Sequence, residues 1–229
     1  MPGMDWRQVG IATIAWAGVA LAAPGAEERG VVEEIVAVVR SPALGQTRVI
    51  TLTELKEEAR IALVSRGAVA AAVLPLDDAA LRAALEWVID QTVLADEVSR
   101  LQVFDVGRAE VLEERNRFRA RFSRPDDYTA FLVRLEMSEE DLLAVLRRMV
   151  RVQRYLESRI HLARIQDAEV EAYWKEHASQ FEGRDLASVH ELIRAHLATE
   201  RYKVDVKAFL AELRSRTEIR VLARFGKER

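Results

Sequence analysis

The sequence predicts a mainly α-helical protein in which a small β-sheet is formed by strands near both ends of the mature chain. Most of the chain repeats apolar residues with the helical period of about 3.6, and residues 138–160 do so without a break. Short β-branched runs, by contrast, are confined to residues 34–40, 48–52 and 217–223. Because a strand needs a partner, we expect the last run to pair with the first two in one sheet.

The composition is typical of a folded protein with no strong electrostatic preference. Of the 229 residues, 50% are hydrophobic, which is enough to bury a real core in one ordinary domain or two small ones. The formal net charge of −3, with acidic and basic residues interspersed, argues against nucleic acid or an anionic membrane as a partner. Because the chain has no cysteine, disulfides, thiolate metal sites and a cysteine nucleophile are excluded.

Residues 1–26 have the features of a cleavable signal peptide. An apolar run at 9–23 follows Arg7 and precedes Pro-Gly and charged residues. Small residues allow cleavage after Ala22 or Ala26, and the run is short for a membrane span, which needs about 20 residues. We therefore expect export to the periplasm, with a retained membrane anchor and a buried N-terminal helix as the alternatives.

The segment after the leader contains two strands followed by two predicted helices. Thr53 is a candidate N-cap for a helix over 53–66, and Pro75 then interrupts regular structure. Asp77 begins the second helix, which extends to about residue 101. Its apolar residues cover a broad arc, and this predicts a central position in the core.

The helix predicted over residues 138–160 is long and amphipathic, with two chemically different faces. Ser138 is followed by three carboxylates, which complement the positive end of the helix dipole. Apolar residues occupy one face, whereas Arg147, Arg151 and Arg154 line the opposite side. The arginines indicate either a contact with an anion or polypeptide or a solvated helix face. The solvated face is the favoured interpretation, because runs of charge usually face water.

Four further segments have a weaker helical period. They are predicted at 107–122, from Asp126, from Asp167 and over 186–214, with a break at 181–184. Residues 107–122 interleave arginine with aromatic side chains, a pattern that also occurs on surfaces binding single-stranded nucleic acid. The acidic total instead favours a surface helix whose two phenylalanines face the core.

No complete catalytic or metal-binding motif occurs in the chain. His190 and Glu191 begin the zinc-protease pattern H-E-x-x-H, but Arg194 occupies the place of the second histidine. There is no G-x-S-x-G motif, no phosphate-binding glycine loop and no dinucleotide fingerprint. The sequence therefore predicts no metal, no cofactor and no enzymatic activity.

Several short motifs occur in an order that resembles the chaperone module of the SurA and PrsA family of exported folding factors. They are I-V-A-V-V at 35–39, I-T-L-T-E-L at 50–55, an apolar helix with Ile-Asp at 85–94, and D-A-E-V-E-A-Y-W at 167–174. The final helix and strand, 186–223, resemble the segment that returns in that family to complete the N-terminal module. The resemblance implies a SurA N-terminal-like chaperone domain over residues 27–229.

The chain departs from the family in the segment between the Y-W helix and the returning helix. Family members carry parvulin-type peptidyl-prolyl isomerase domains between the Y-W helix and the returning helix, whereas here only residues 177–185 lie there. A parvulin domain does not fit in so short a segment. The resemblance therefore implies binding of unfolded or nascent exported polypeptides, including outer-membrane proteins, without isomerase activity.

A helical module can hold extended polypeptides in a groove of adaptable apolar side chains surrounded by a charged rim. The candidate lining residues come from the least regular part of the chain: Phe104, Phe118, Phe122, Tyr128 and Phe131. The alternative is that these aromatic residues simply close the core. Two other functions stay open, namely a structural or assembly subunit of a cell-envelope complex and a residual peptidyl-prolyl isomerase.

Overall fold

The computed structural model describes residues 33–160, 165–181 and 183–226, so the predicted signal peptide lies outside the described residues. The fold is mainly helical with one small antiparallel sheet, as the sequence predicts. In chain order the elements are β1 (Ile35–Ser41), β2 (Gln46–Thr51), α1 (Leu52–Ser65), α2 (Val69–Ala72), α3 (Asp78–Leu101), α4 (Arg108–Arg119), α5 (Pro125–Arg134), α6 (Glu139–Arg159), α7 (Asp167–Glu176), α8 (Leu186–Ser215) and β3 (Glu218–Val221). Among the described residues, Ala178–Phe181 and Arg224–Gly226 form 3₁₀ turns.

The sheet joins the two ends of the described chain, which confirms the predicted pairing. Its strand order is β2-β1-β3, and both pairs are antiparallel. Val39 at the centre of β1 lies opposite Arg48 on β2 and Ile219 on β3. The register shifts between Ile35 and Ala37, and such an irregularity turns consecutive side chains to the same face.

Two of the predicted helix starts are confirmed. Asp77 accepts a hydrogen bond at 2.8 Å from the backbone N–H of Ala80 at the start of α3. Ser138 caps α6 in a reciprocal capping box with Asp141. Such side chains satisfy backbone N–H groups that have no partner within the helix.

The predicted caps of α1 and α7 are each displaced from the observed ones. Thr51, not Thr53, caps α1, and its hydroxyl accepts from the N–H of Glu54 at 3.2 Å. Strand β2 passes directly into α1, so its last residue serves as the cap. Gln166, not Asp167, precedes α7 and forms a capping box with Glu169.

Buried apolar side chains form three cores among the described residues. The sheet core lies between the sheet, α3 and the C-terminal parts of α6 and α8. The aromatic core joins α1, α4, α5 and the first half of α6. The hairpin core, between α7 and the first half of α8, is the smallest of the three. Helix α3 contacts α1, α6, α8 and β1, and this confirms its predicted central position.

None of the helices within residues 33–160, 165–181 and 183–226 is long and apolar enough to cross a membrane.

Candidate functional site

Four of the five predicted lining residues lie inside the aromatic core. Phe118, Phe122, Tyr128 and Phe131 are all buried, and Phe118 retains only 1% of its surface exposed. Their rings are tilted or edge-on, with centroids 5.4 Å apart for Phe122 and Phe131 and 6.4 Å apart for Phe118 and Tyr128. These positions correspond to the core-closing alternative. Their role in peptide binding stays a prediction that would require the aromatic core to open.

The fifth predicted residue, Phe104, lies apart from the other four. It is half-buried in the segment 102–107 and packs edge-on against Tyr155 of the sheet core at a centroid distance of 6.1 Å. Its backbone is left-handed, with φ of 59°, an uncommon conformation for a bulky residue. The five candidates therefore do not line one common surface.

An open groove lies between α4 and α6, next to the aromatic core. It encloses a cavity of about 310 Å³, within the range typical of ligand pockets. On α6 the lining residues are spaced i, i+3, i+4 and i+7, and on α4 they are spaced i, i+3 and i+4, so each helix contributes one stripe. The complete lining is Arg108, Val111, Leu112, Glu140, Leu143, Ala144 and Arg147.

Apolar side chains form the floor of this groove and charged side chains form its rim. Val111 is buried, and Leu112 and Leu143 are half-buried, so the two leucines retain apolar surface for a ligand. Arg108, Glu140 and Arg147 are exposed around them. An apolar floor with a charged rim suits reversible contact with apolar side chains of a soluble partner.

Two ion pairs join α4 to α6 beside the groove. Glu110 at the start of α4 pairs with Arg154 at 2.6 Å, and Arg115 further along α4 pairs with Glu139 at 2.6 Å. Because the later residue on α4 meets the earlier residue on α6, the two helices run antiparallel. The groove therefore lies between two antiparallel helices that are joined by ion pairs beside it.

Glu139 connects three helices at one end of the groove. It accepts hydrogen bonds from Arg115 of α4 at 2.6 Å and from the hydroxyl of Tyr128 on α5 at 2.7 Å. Partial burial opposes ionisation of Glu139, but these two hydrogen bonds prevail and lower the pKa of its carboxyl group. Burial, reinforced by the bond to Glu139, raises the pKa of the Tyr128 hydroxyl. The carboxylate is thus held ionised between two donors.

The sequence favoured a solvated face for Arg147, Arg151 and Arg154 of α6. The structure shows that only part of this row of arginines is solvated. Arg151 donates to the carbonyl oxygens of Val103 at 3.2 Å and Val98 at 3.4 Å. Arg154 donates at 3.5 Å to the carbonyl of Asp105, besides its pair with Glu110. The end of α3 and the segment after it expose carbonyl groups without intrahelical partners, and these attract the two guanidinium groups. Arg147 has no partner of this kind among the described residues and matches the solvated-face interpretation.

The next residue of α6, Arg148, points instead to a buried acid. It donates to Glu58 of α1, which retains only 3% of its surface exposed, and Arg48 of β2 lies 3.9 Å from the same oxygen. Burial raises the pKa of the Glu58 carboxyl group, although the charge of Arg148 opposes this effect. The second carboxylate oxygen of Glu58 has no hydrogen-bond partner among the described residues.

The lining residues Leu112 and Leu143 were not predicted from the sequence. Leu143 falls outside the apolar arc of α6 that packs into the cores, and this displacement is the signal that could have identified it. In the described ranges, no three histidine, aspartate or glutamate side chains form a group that could hold a metal ion. His190, from the incomplete zinc motif, lies 3.4 Å from Asp167, to which Arg194 also donates.

No family model, curated protein or solved structure matches this chain significantly.

Proposed function

We propose that the protein is a periplasmic chaperone-like binder of unfolded or nascent exported polypeptides, including outer-membrane proteins, and that it has no isomerase activity. The observation that carries the proposal is the groove between α4 and α6, with its apolar floor and charged rim. The resemblance of the sequence to exported folding factors supports the same function. The aromatic residues would then pack on the opposite side of α4 and α6 and hold together the two helices that form the groove.

The size of the groove suits weak and reversible holding. Complete burial of one large apolar side chain contributes about 1.5–3 kcal/mol. Binding a flexible segment costs several kcal/mol of lost freedom, so a site for a few side chains gives short-lived complexes unless the client engages it repeatedly. Short-lived complexes are appropriate for a protein that must release its clients for folding.

The connection between α7 and α8 supports the absence of isomerase activity. It consists of residues 177–185, of which Ala178–Phe181 form a 3₁₀ turn, and α7 and α8 pack together in the hairpin core. The family that the sequence resembles places its parvulin domains at this connection. A proline-peptide assay should therefore show no acceleration of cis–trans isomerisation by the purified protein.

The direct test is light scattering during dilution of a denatured outer-membrane β-barrel protein. We expect suppression of aggregation at near-stoichiometric ratios, and loss of that suppression in Leu143→Glu, which places a charge on the floor of the groove. The matched control is Leu192→Glu, because Leu192 is a leucine of α8 that is 64% exposed outside the groove. Circular dichroism would verify that both variants are folded.

Unchanged aggregation across a wide excess of the protein would contradict a general chaperone function. Stoichiometric co-purification with one envelope protein would then support the alternative of an assembly subunit. Equal loss of suppression in Leu143→Glu and Leu192→Glu would show that the groove is not the binding surface.

A further inference from the structure

We propose that the groove between α4 and α6 selects polypeptide segments in which apolar side chains lie beside an acidic residue, whose carboxylate pairs with Arg108 and Arg147. This inference rests on the proposed function and specifies its substrate class. It is carried by the charges on the rim and by their arrangement along the groove.

The rim has a surplus of positive charge that no described residue neutralises. Neither Arg108 nor Arg147 forms a hydrogen bond or ion pair with another residue of the described chain. Arginines close by are paired, since Arg115 meets Glu139 and Arg117 meets Glu113 and Glu114. The lining holds two guanidinium groups and a single carboxylate, that of Glu140, so its net charge is positive.

The charges are also separated along the groove. Glu140 and Arg147 are seven residues apart on α6, a rise of about 10.5 Å. Because α4 runs antiparallel to α6, Arg108 at the start of α4 lies toward the Arg147 end. One end of the apolar floor is therefore cationic and the other anionic, and an extended segment of about three residues spans the distance between them.

A carboxylate is the complementary group for the cationic end. Guanidinium groups bind carboxylates through charge-assisted hydrogen bonds, often with two parallel bonds. Because both arginines are exposed, water and salt weaken each pair, and the expected preference for an acidic over a neutral segment is about five- to tenfold in affinity. A basic residue at the same position would meet two like charges and bind more weakly than the neutral one.

The experiment uses fluorescence anisotropy with three labelled peptides that share one apolar sequence. A single flanking position carries Glu, Gln or Lys. For the purified protein we expect the affinity order Glu, then Gln, then Lys, with differences that shrink as salt is added. In the double variant Arg108→Glu/Arg147→Glu the order should invert, so that the Lys peptide binds best. The double variant Arg121→Glu/Arg224→Glu changes the net charge equally at arginines outside the groove, and it should keep the original order.

Each outcome separates this inference from the proposed function. If all three peptides bind equally, and Leu143→Glu abolishes binding, the charge selection is overturned while the chaperone function stands. Inversion of the order in both double variants would also overturn it, because the effect would come from net charge. Retention of the original order in both would overturn it too, because Arg108 and Arg147 would then not select the acidic residue. If no peptide binds and aggregation is not suppressed, both proposals fail. Concentration-dependent self-association that Arg147→Glu abolishes would identify a second copy of this chain as the occupant and overturn the inference.

Discussion

Helices α4 and α6 have two sides that differ in almost every physical respect. The inner side is sealed by the tilted rings of the aromatic core, and Phe118 is the most buried of these rings. The outer side keeps two half-buried leucines around an open cavity, together with three charges that pair with no described residue. The aromatic residues, which are the most conspicuous in the sequence, are used for packing. The surface that suits a ligand is built from ordinary leucine and arginine side chains.

Two neighbouring arginines of α6 repeat this contrast. Arg148 turns inward to the buried carboxylate of Glu58, whereas Arg147 lies exposed at the groove. Successive residues of a helix point about 100° apart, so one step along the chain separates a structural charge from one available to a ligand. Composition alone does not distinguish the two, but their contacts do.

The largest expected effect comes from truncation on the inner side. Phe118→Ala should lower the free energy of unfolding by about 3–5 kcal/mol, because it removes a buried ring and leaves a cavity. Chemical denaturation monitored by circular dichroism would measure the loss. Phe118→Leu retains most of the apolar volume and should lose much less. A fully stable Phe118→Leu variant that no longer suppresses aggregation would assign the ring to the client-binding surface and break the contrast.

Arg148→Ala should be the next most damaging change, with a loss of about 2 kcal/mol near neutral pH. The buried Glu58 then loses the arginine that donates a hydrogen bond to it and keeps only Arg48, at 3.9 Å. The loss should depend on pH. Burial already raises the pKa of Glu58 above its ordinary value of 4.5, so the folded state favours the protonated acid. Stability therefore falls as pH rises through the folded pKa, and removing Arg148 enlarges that fall. Denaturation curves at several pH values would measure it.

The control for this prediction is the neighbouring residue. Arg147→Ala should change the free energy of unfolding by less than about 0.5 kcal/mol at every pH, because the side chain has no described partner. An equal loss of stability in Arg147→Ala and Arg148→Ala would remove the distinction between the inner and outer arginines.

Tyr128→Phe tests the connection between the aromatic core and the end of the groove. The ring stays in place, but Glu139 loses one of its two donors, and we expect a loss of about 1 kcal/mol. The hydrogen bonds lower the pKa of Glu139, so their stabilisation is present above its unfolded pKa and disappears as pH falls through the folded pKa. The difference between the variant and the original protein should therefore vanish in acid. A difference that persists there would indicate that the hydroxyl acts through packing rather than through the carboxylate.

The fold was predictable from the sequence because its signals are local. Ser138 and Asp77 mark helix starts by their side-chain chemistry, and the three β-branched runs had only one another as partners. The groove was not predictable in the same way. It requires α4 to lie antiparallel against α6, and the ion pair of Glu110 with Arg154 joins residues that are far apart in the chain. The sequence gives only a weak indication that Leu143 belongs to a binding surface, because this leucine lies outside the apolar arc of α6 that packs into the cores.

Apart from the controls, the smallest expected loss of stability separates the two sides most directly. Leu143→Ala removes a half-buried side chain from the floor of the groove, so the free energy of unfolding should fall by only about 0.5–1 kcal/mol. The variant should nevertheless suppress client aggregation less well, because the apolar surface offered to a ligand is reduced. Leu192→Ala, on the exposed face of α8, provides the control and should leave suppression unchanged. A variant that loses stability but not suppression would place Leu143 with the inner side, as part of the packing rather than of a binding surface.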